Sequence, residues 1–288
     1  MGEKILFLYD TITDRDGVTL TASSALTPVT NLQDISPSRV WRMATNNGEW
    51  VSIDAGAGGR HVVDTVALVG FNMTAGRPFQ RSTVRVRLAD AADMSDASYD
   101  QTYPVWPAVS GFGQLFGQCL GGYPQIGGYV PYTRRRIIRL ARQVKARFLR
   151  LDFSDTLSAV PLELGRIMAG VAFQPERNFS YGWKRRPVDP STIKRSDGGT
   201  PIGTRRRVYH ETDVEFGLVR LRRALTQFDD MLSAVGNSRP VLVSLFPDAA
   251  STLFYRTSDY GLITSTVNLT GTHHDFAAVS QITVQEVQ

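Results

Sequence analysis

The stretch Thr83-Val84-Arg85-Val86-Arg87-Leu88 alternates without a break, with Val84, Val86 and Leu88 on one side and two arginines on the other. A period of two belongs to a strand with one buried face, and a helix would scatter these side chains around its axis. Other runs fit the same scheme. Val63–Gly70 is nearly continuous in apolar residues, Phe148–Phe153 alternates more loosely, and Gly165–Val171 reads as a further strand. With 25 Gly and 14 Pro available for the turns between such runs, the first half is predicted to be antiparallel sheets closed into a sandwich.

Between about residues 91 and 145 the alternation fades. Tyr103-Pro104-Val105-Trp106-Pro107, and the glycines and aromatics from Gly111 to Gly128, read as a long insertion. Pro, Ser, Gly, Lys and Arg dominate 174–207, which reads as a linker or extended arm. Folded sequence resumes at 208, where Tyr209–Leu218 alternates. One helix is expected over about Arg222–Val235, since Leu225, Phe228, Met231, Leu232 and Val235 recur at three- and four-residue steps before Gly236. Strands are expected at Val241–Phe246, Leu253–Arg256, Gly261–Val267 and Gln281–Val287. The expected class is mainly β: a sandwich over 1–173, then a β domain with one helix over 208–288.

Cys119 is the only cysteine, so no internal disulfide forms, which fits folding in a reducing cytoplasm. The opening run Ile5–Tyr9 is too short for a secretory leader or a bilayer span, so neither a leader nor membrane insertion is expected. The net charge of +5 is built from 4 Lys and 28 Arg against 27 acidic residues. Arginine suits carboxylate pairing and protein interfaces, whereas a surface that tracks nucleic acid commonly mixes in lysine, so nucleic acid is not an expected partner.

Catalytic and cofactor motifs are missing from the sequence. Gly111-Phe112-Gly113 does not continue into a phosphate-binding loop. His61, His210, His273 and His274 lack zinc spacing, and Cys119 has no companion ligand. No nucleophile elbow occurs, and Asp229-Asp230 fits the polar side of the helix. The chain is expected not to be an enzyme and to need no cofactor.

A series of segments in order carries a resemblance. These are Asn31-Leu32 with Pro37-Ser38-Arg39-Val40-Trp41-Arg42, then Trp50-Val51-Ser52-Ile53-Asp54-Ala55-Gly56, then the strands Val63–Gly70 and Thr83–Asp90. Ala146-Arg147-Phe148-Leu149-Arg150-Leu151 and Leu162–Gly170 complete the series. Over about residues 25–173 they resemble the discoidin, or coagulation-factor C-type, galactose-binding-like domain, with Ala55 in place of a usual Leu and without the family's cysteine pair. Trp50 is expected between the sheets, Gly56 in a turn, and Arg147 and Arg150 paired with carboxylates at the rim. The resemblance also implies a candidate structural calcium, with Asp34 and Asp54 as the nearest ligands. From the Arg-flanked helix through Arg239–Asp248 to Tyr260-Gly261, the second half resembles bacteriophage tail-tip and distal-tail (baseplate) proteins.

Together these resemblances imply a virion structural protein of a phage tail, made in the host cytoplasm. It would form a ring-like three- or six-fold homo-oligomer, join other tail proteins and display the sandwich outward. Arg134, Arg135, Arg136, Arg185, Arg186, Arg205, Arg206 and Arg207 are the candidate interface residues. The alternative is a carbohydrate-binding module of a receptor-binding or cell-surface-binding protein. Trp41, Tyr103, Trp106, Phe112, Phe116 and Tyr123 would then offer apolar platforms to a bacterial surface glycan.

Overall fold

The computed structural model describes residues 4–56, 59–73, 82–105, 134–156, 158–195, 198, 201–247, 254 and 256–287. The chain forms two compact units. One is Met1–Gln174 together with Ser244–Ser258, and the other is Pro175–Val243 together with Asp259–Gln288.

The first unit opens with β1 (Leu6–Leu8), β2 (Thr19–Ala22), β3 (Trp41–Arg42), β4 (Asn47–Asp54), β5 (His61–Val69) and β6 (Ser82–Ala89). It continues with β7 (Tyr99–Pro104), β8 (Arg135–Ala146), β9 (Phe148–Asp155), β10 (Glu163–Leu164) and β11 (Arg166–Gly170). A five-stranded sheet runs β2-β4-β9-β6-β7 and a three-stranded sheet runs β11-β5-β8, each with antiparallel neighbours. The alternation that opened the sequence does what it predicts. Val84, Val86 and Leu88 are buried beside Leu151, Leu149 and Phe153 of β9, while Arg85 and Arg87 face outward. In the three-stranded sheet, β11 and most of β5 are buried on both faces, and the N-terminal segment packs against β11. Thr13 Oγ1 donates to the Ile167 carbonyl at 2.9 Å, and Ala169 N–H donates to Thr11 Oγ1 at 2.9 Å. Arg166, 0% exposed, closes this layer by donating to the carbonyls of Gln33 and Asp34 and to the Asp14 carboxylate.

Two sequence expectations change here. The segment expected as an insertion holds β7 at one end and β8 at the other. The outward residues of β7 are polar, and β8 pairs through a register shift opposite Val63/Thr65, so neither shows a clean period. The tryptophans also exchange roles. Trp41 is the fully buried one, edge-on to Phe153 at 6.2 Å with its indole N–H on the Ser24 carbonyl at 3.0 Å. Trp50 is half-buried on the outer face, where the Arg150 guanidinium lies over its ring at 4.1 Å.

The second unit contains β12 (Lys184–Val188), β13 (Thr192–Arg195), β14 (Pro201–Thr204), β15 (Tyr209–Arg220), β16 (Val241–Ser244), β17 (Ser258–Ile263), β18 (Leu269–His273) and β19 (Phe276–Glu286). Its sheet runs β16-β17-β19-β15-β12, with β18 also on β19, while β13 and β14 form a separate hairpin. Part of the expected linker is therefore strand. The basic run pairs because β15 supplies the opposite charge, setting Arg186 against Glu211 and Lys184 against Asp213. Arg186 forks onto Glu211 at 2.6 and 2.8 Å.

The helical segment is Leu221–Arg223, wide π-type turns over Ala224–Asp229, and Asp230–Val235. The wide turns shift the buried stripe, so Ala224, Phe228, Met231 and Val235 are inside whereas Leu225 is exposed. Gly236 ends it with φ of +53°, a conformation that side-chain-bearing residues resist. Phe254 and Arg256, expected in a strand, lie in a helical turn of the first unit, closed by the Thr257 N–H on the Phe254 carbonyl.

Candidate functional site

At one end of the sandwich, strand register gathers charged residues from four separate stretches of sequence. β8 belongs to one sheet and β9 to the other, so the chain changes sheets at Arg147. Its neighbour Phe148 stands opposite Asp54 on one side and Ala89 on the other, which brings the end of β4 and Asp90 beside Arg147. His61 pairs with Ala146, which places Arg60 on the far side of the same corner. The result is an open cleft of about 290 Å³ lined by Gly59, Arg60, Asp90 and Arg147.

Two guanidinium–carboxylate forks frame it. Arg147 donates through Nε and Nη2 to the two Asp54 oxygens at 2.8 and 2.9 Å. Arg60 does the same to Asp90, with Nε at 2.8 Å. The Arg147 backbone N–H reaches Asp90 at 3.2 Å, which links the two pairs. Asp54 also accepts the Gly56 N–H at 2.9 Å, in a turn where Gly56 has φ of +87°. The Arg147 hydrogen bond, helped by that N–H, holds the Asp54 carboxyl below the ordinary aspartate value although partial burial opposes it; Asp54 in turn raises the Arg147 pKa. The Arg147 guanidinium also lies 4.8 Å from the Phe148 ring centroid. At the same end, His61 Nδ1 meets Arg15 Nη1 at 2.8 Å, and Arg15 is held by Asp10 at 2.6 Å. Burial and the Arg15 charge lower the His61 pKa.

Charge-assisted forks fix the planes of both side-chain types while leaving carboxylate lone pairs and guanidinium N–H groups for a ligand. Such a cleft offers donors and acceptors side by side without a large net charge. Arg147 was legible in sequence as a rim arginine expected to find a carboxylate, whereas Asp54 was expected only as a calcium ligand. Arg60 and Asp90 were not legible, because their meeting depends on where strands end.

The other candidate residues are dispersed. Trp41 cannot be a glycan platform, since it is 0% exposed. Tyr103 sits opposite Val84 on the inner side of the sheet, half-buried, with its hydroxyl on that of Tyr99; burial and Tyr99 raise its pKa. Trp106, Phe112, Phe116 and Tyr123 lie outside the described residues. Asp34 and Asp54, the calcium candidates, each hold an arginine: Arg39 at 3.1 Å and Arg147. No group of three or more His, Cys, Asp or Glu side chains suited to a metal occurs among the described residues.

Among the interface candidates, Arg135 and Arg185 are spent within their own units. Arg135 is buried and donates to the Ser258 carbonyl at 2.5 Å, and Arg185 forks onto buried Asp259. Arg186 is held by Glu211, Arg136 is half-buried, and Arg134, Arg205, Arg206 and Arg207 are exposed. No helix among the described residues is long and apolar enough to cross a membrane.

No protein-family model matches the chain, and no curated protein matches it. Solved structures do. CpGH89CBM32-6, produced by Clostridium perfringens, is 10% identical over 56% of this chain and 98% of its own, with a TM-score of 0.36. Chitosan-binding module 1 from a chitosanase/glucanase of Paenibacillus sp. IK-5 is 15% identical over 57% and 100%, with a TM-score of 0.36. The lectin domain of lectinolysin, complexed with Lewis B antigen, is 15% identical over 56% and 95%, with a TM-score of 0.34. The sandwich is established by its own strand pairing, and no residue role follows from these neighbours. The virion setting, ring symmetry and tail partners expected from the second half find no counterpart in them.

Proposed function

We propose that the chain is a non-catalytic carbohydrate-binding protein whose site is the cleft at the sandwich end. The observation that carries the reading is the pair of linked forks, Arg147–Asp54 and Arg60–Asp90, beside an opening of about 290 Å³ that Gly59 also lines. A sugar ring presents several hydroxyls, each donor and acceptor at once, and this lining can meet them in both roles. The discoidin-like order of segments along the sequence points the same way.

A single hexose has roughly 12 non-hydrogen atoms, and at about 0.3 kcal/mol per atom its Kd would be about 2 mM. The test is a titration of the full chain with neutral and acidic mono- and disaccharides, followed by NMR shifts of residues around Gly59. Binding to at least one sugar, weakened about tenfold or more in Arg147→Ala with an unchanged fold, is the expected result. Absence of binding across the panel, or a bound sugar indifferent to Arg147→Ala, would refute the site.

A further inference from the structure

The charge of this protein is concentrated in one place. Between Lys184 and Arg207 stand eight Lys and Arg against two Asp, whereas the rest of the chain carries 24 Lys and Arg against 25 Asp and Glu. Two of the eight are neutralised inside the second unit, Arg185 by Asp259 and Arg186 by Glu211. The other six, Lys184, Lys194, Arg195, Arg205, Arg206 and Arg207, are exposed; Lys184 stands opposite Asp213 across the strand pair, and the Arg205 charge helps to lower the Asp189 pKa.

These cations surround a hairpin with little of its own to pack against. Every residue of β13 is exposed, including Ile193 at 76%, and Val208 just beyond Arg207 is exposed as well. A two-stranded ribbon with one strand wholly exposed gains little burial there in water, so a surface laid against that strand would supply what it lacks.

We infer that this basic arm is a docking surface for an acidic protein surface that also presents an apolar side chain. Lys184–Arg207 contains no aromatic residue, and the exposed Tyr181 and Trp183 just before it add the kind of apolar surface that a protein partner meets. Four of the six exposed cations are arginines, whose planar forks match carboxylates. Arg185 on Asp259 already shows that geometry at the root of the arm. Ile193 adds an apolar contact that a polyphosphate could not satisfy, and charge steers the encounter. The arm and the sugar cleft belong to different units, so either assignment can fail without the other.

The test uses the full chain and two synthetic peptides, one alternating Glu with Leu and the other alternating Glu with Ser. The Leu peptide should bind more tightly at about 50 mM salt and weaken about tenfold by about 300 mM, where screening shortens the range of the charges. The triple variant R205A/R206A/R207A should lose about tenfold or more in affinity, and Ile193→Ser should abolish the preference for the Leu peptide. Both variants should melt like the parent, since all four side chains are exposed. A thymidine oligonucleotide bound more tightly than either peptide would overturn the inference. So would a triple variant that binds the Leu peptide as the parent does.

Discussion

Glu49 shows how a single side chain can hold loops together. It is buried at 5% exposure, yet its carboxylate accepts from Ser23 and from Ser24 at 2.6 Å, and from the Thr45 hydroxyl and N–H at 2.8 and 3.0 Å. Burial alone would raise its pKa, and the four donors together pull it below the ordinary value of 4.5. Glu49→Ala should destabilise the first unit by about 2 kcal/mol in denaturant melts, because those donors lose their charged acceptor. The sign with pH follows from a folded pKa that lies under the unfolded one. The contribution is complete above about pH 4.5 and disappears as pH falls through the lower folded value, so wild type and Glu49→Ala should converge in strong acid. Asp54 is depressed in the same direction, which predicts sugar affinity that is flat from about pH 5 to 9 and lost in acid. A titration of affinity against pH checks this. At this scale the sequence reveals residue types but not phase. Both tryptophans read as core material, and only the strand pairing decides that Trp41 is inside and Trp50 stands under Arg150.

Elements were legible where the burial was one-sided and obscure where pairing alone made the strand. β6 announced itself through alternation, and β5 through an apolar run. β12 reads Lys184-Arg185-Arg186-Pro187-Val188, a composition of loops, and becomes a strand because acidic β15 lies next to it. Its hold on the sheet includes a buried ion pair. Arg185 reaches Asp259, whose side chain is 1% exposed and also accepts the Thr212 hydroxyl at 2.6 Å. Removing one partner of such a pair strands a buried charge, so Arg185→Ala should cost about 3 to 5 kcal/mol. The exposed Arg186→Ala should cost far less, and paired chemical melts would separate the two. The cleft was half legible for a related reason. Asp54 ends a recognisable strand and Arg147 sits at the junction of two, whereas Arg60 and Asp90 acquire meaning only because β5 begins and β6 ends at the same corner.

At the scale of the whole molecule, the chain was expected to divide cleanly near residue 173, and the first unit instead recruits Ser244–Ser258 from far downstream. That return is tied in. Arg135 donates to the Ser258 carbonyl, Leu245 N–H to the Thr257 carbonyl at 3.0 Å, and the Ser258 hydroxyl to that of Ser244 at 2.8 Å. A fragment ending at residue 174 should therefore melt below the first unit in the intact chain, and adding a peptide of residues 244–258 should restore part of the loss. Calorimetry on the fragment with and without the peptide measures both effects. Hydropathy could not foresee this arrangement, because Val241–Phe246 reads as one more apolar strand whichever unit owns its end.

This interleaving also governs what a protease would achieve. A nick in the exposed basic hairpin would cut the backbone into two pieces, each of which carries part of the first unit. On a denaturing gel the pieces would part, but in solution they would still travel as one particle with the cleft beside Arg147 whole. The protein can thus lose covalent continuity in its most basic stretch without coming apart.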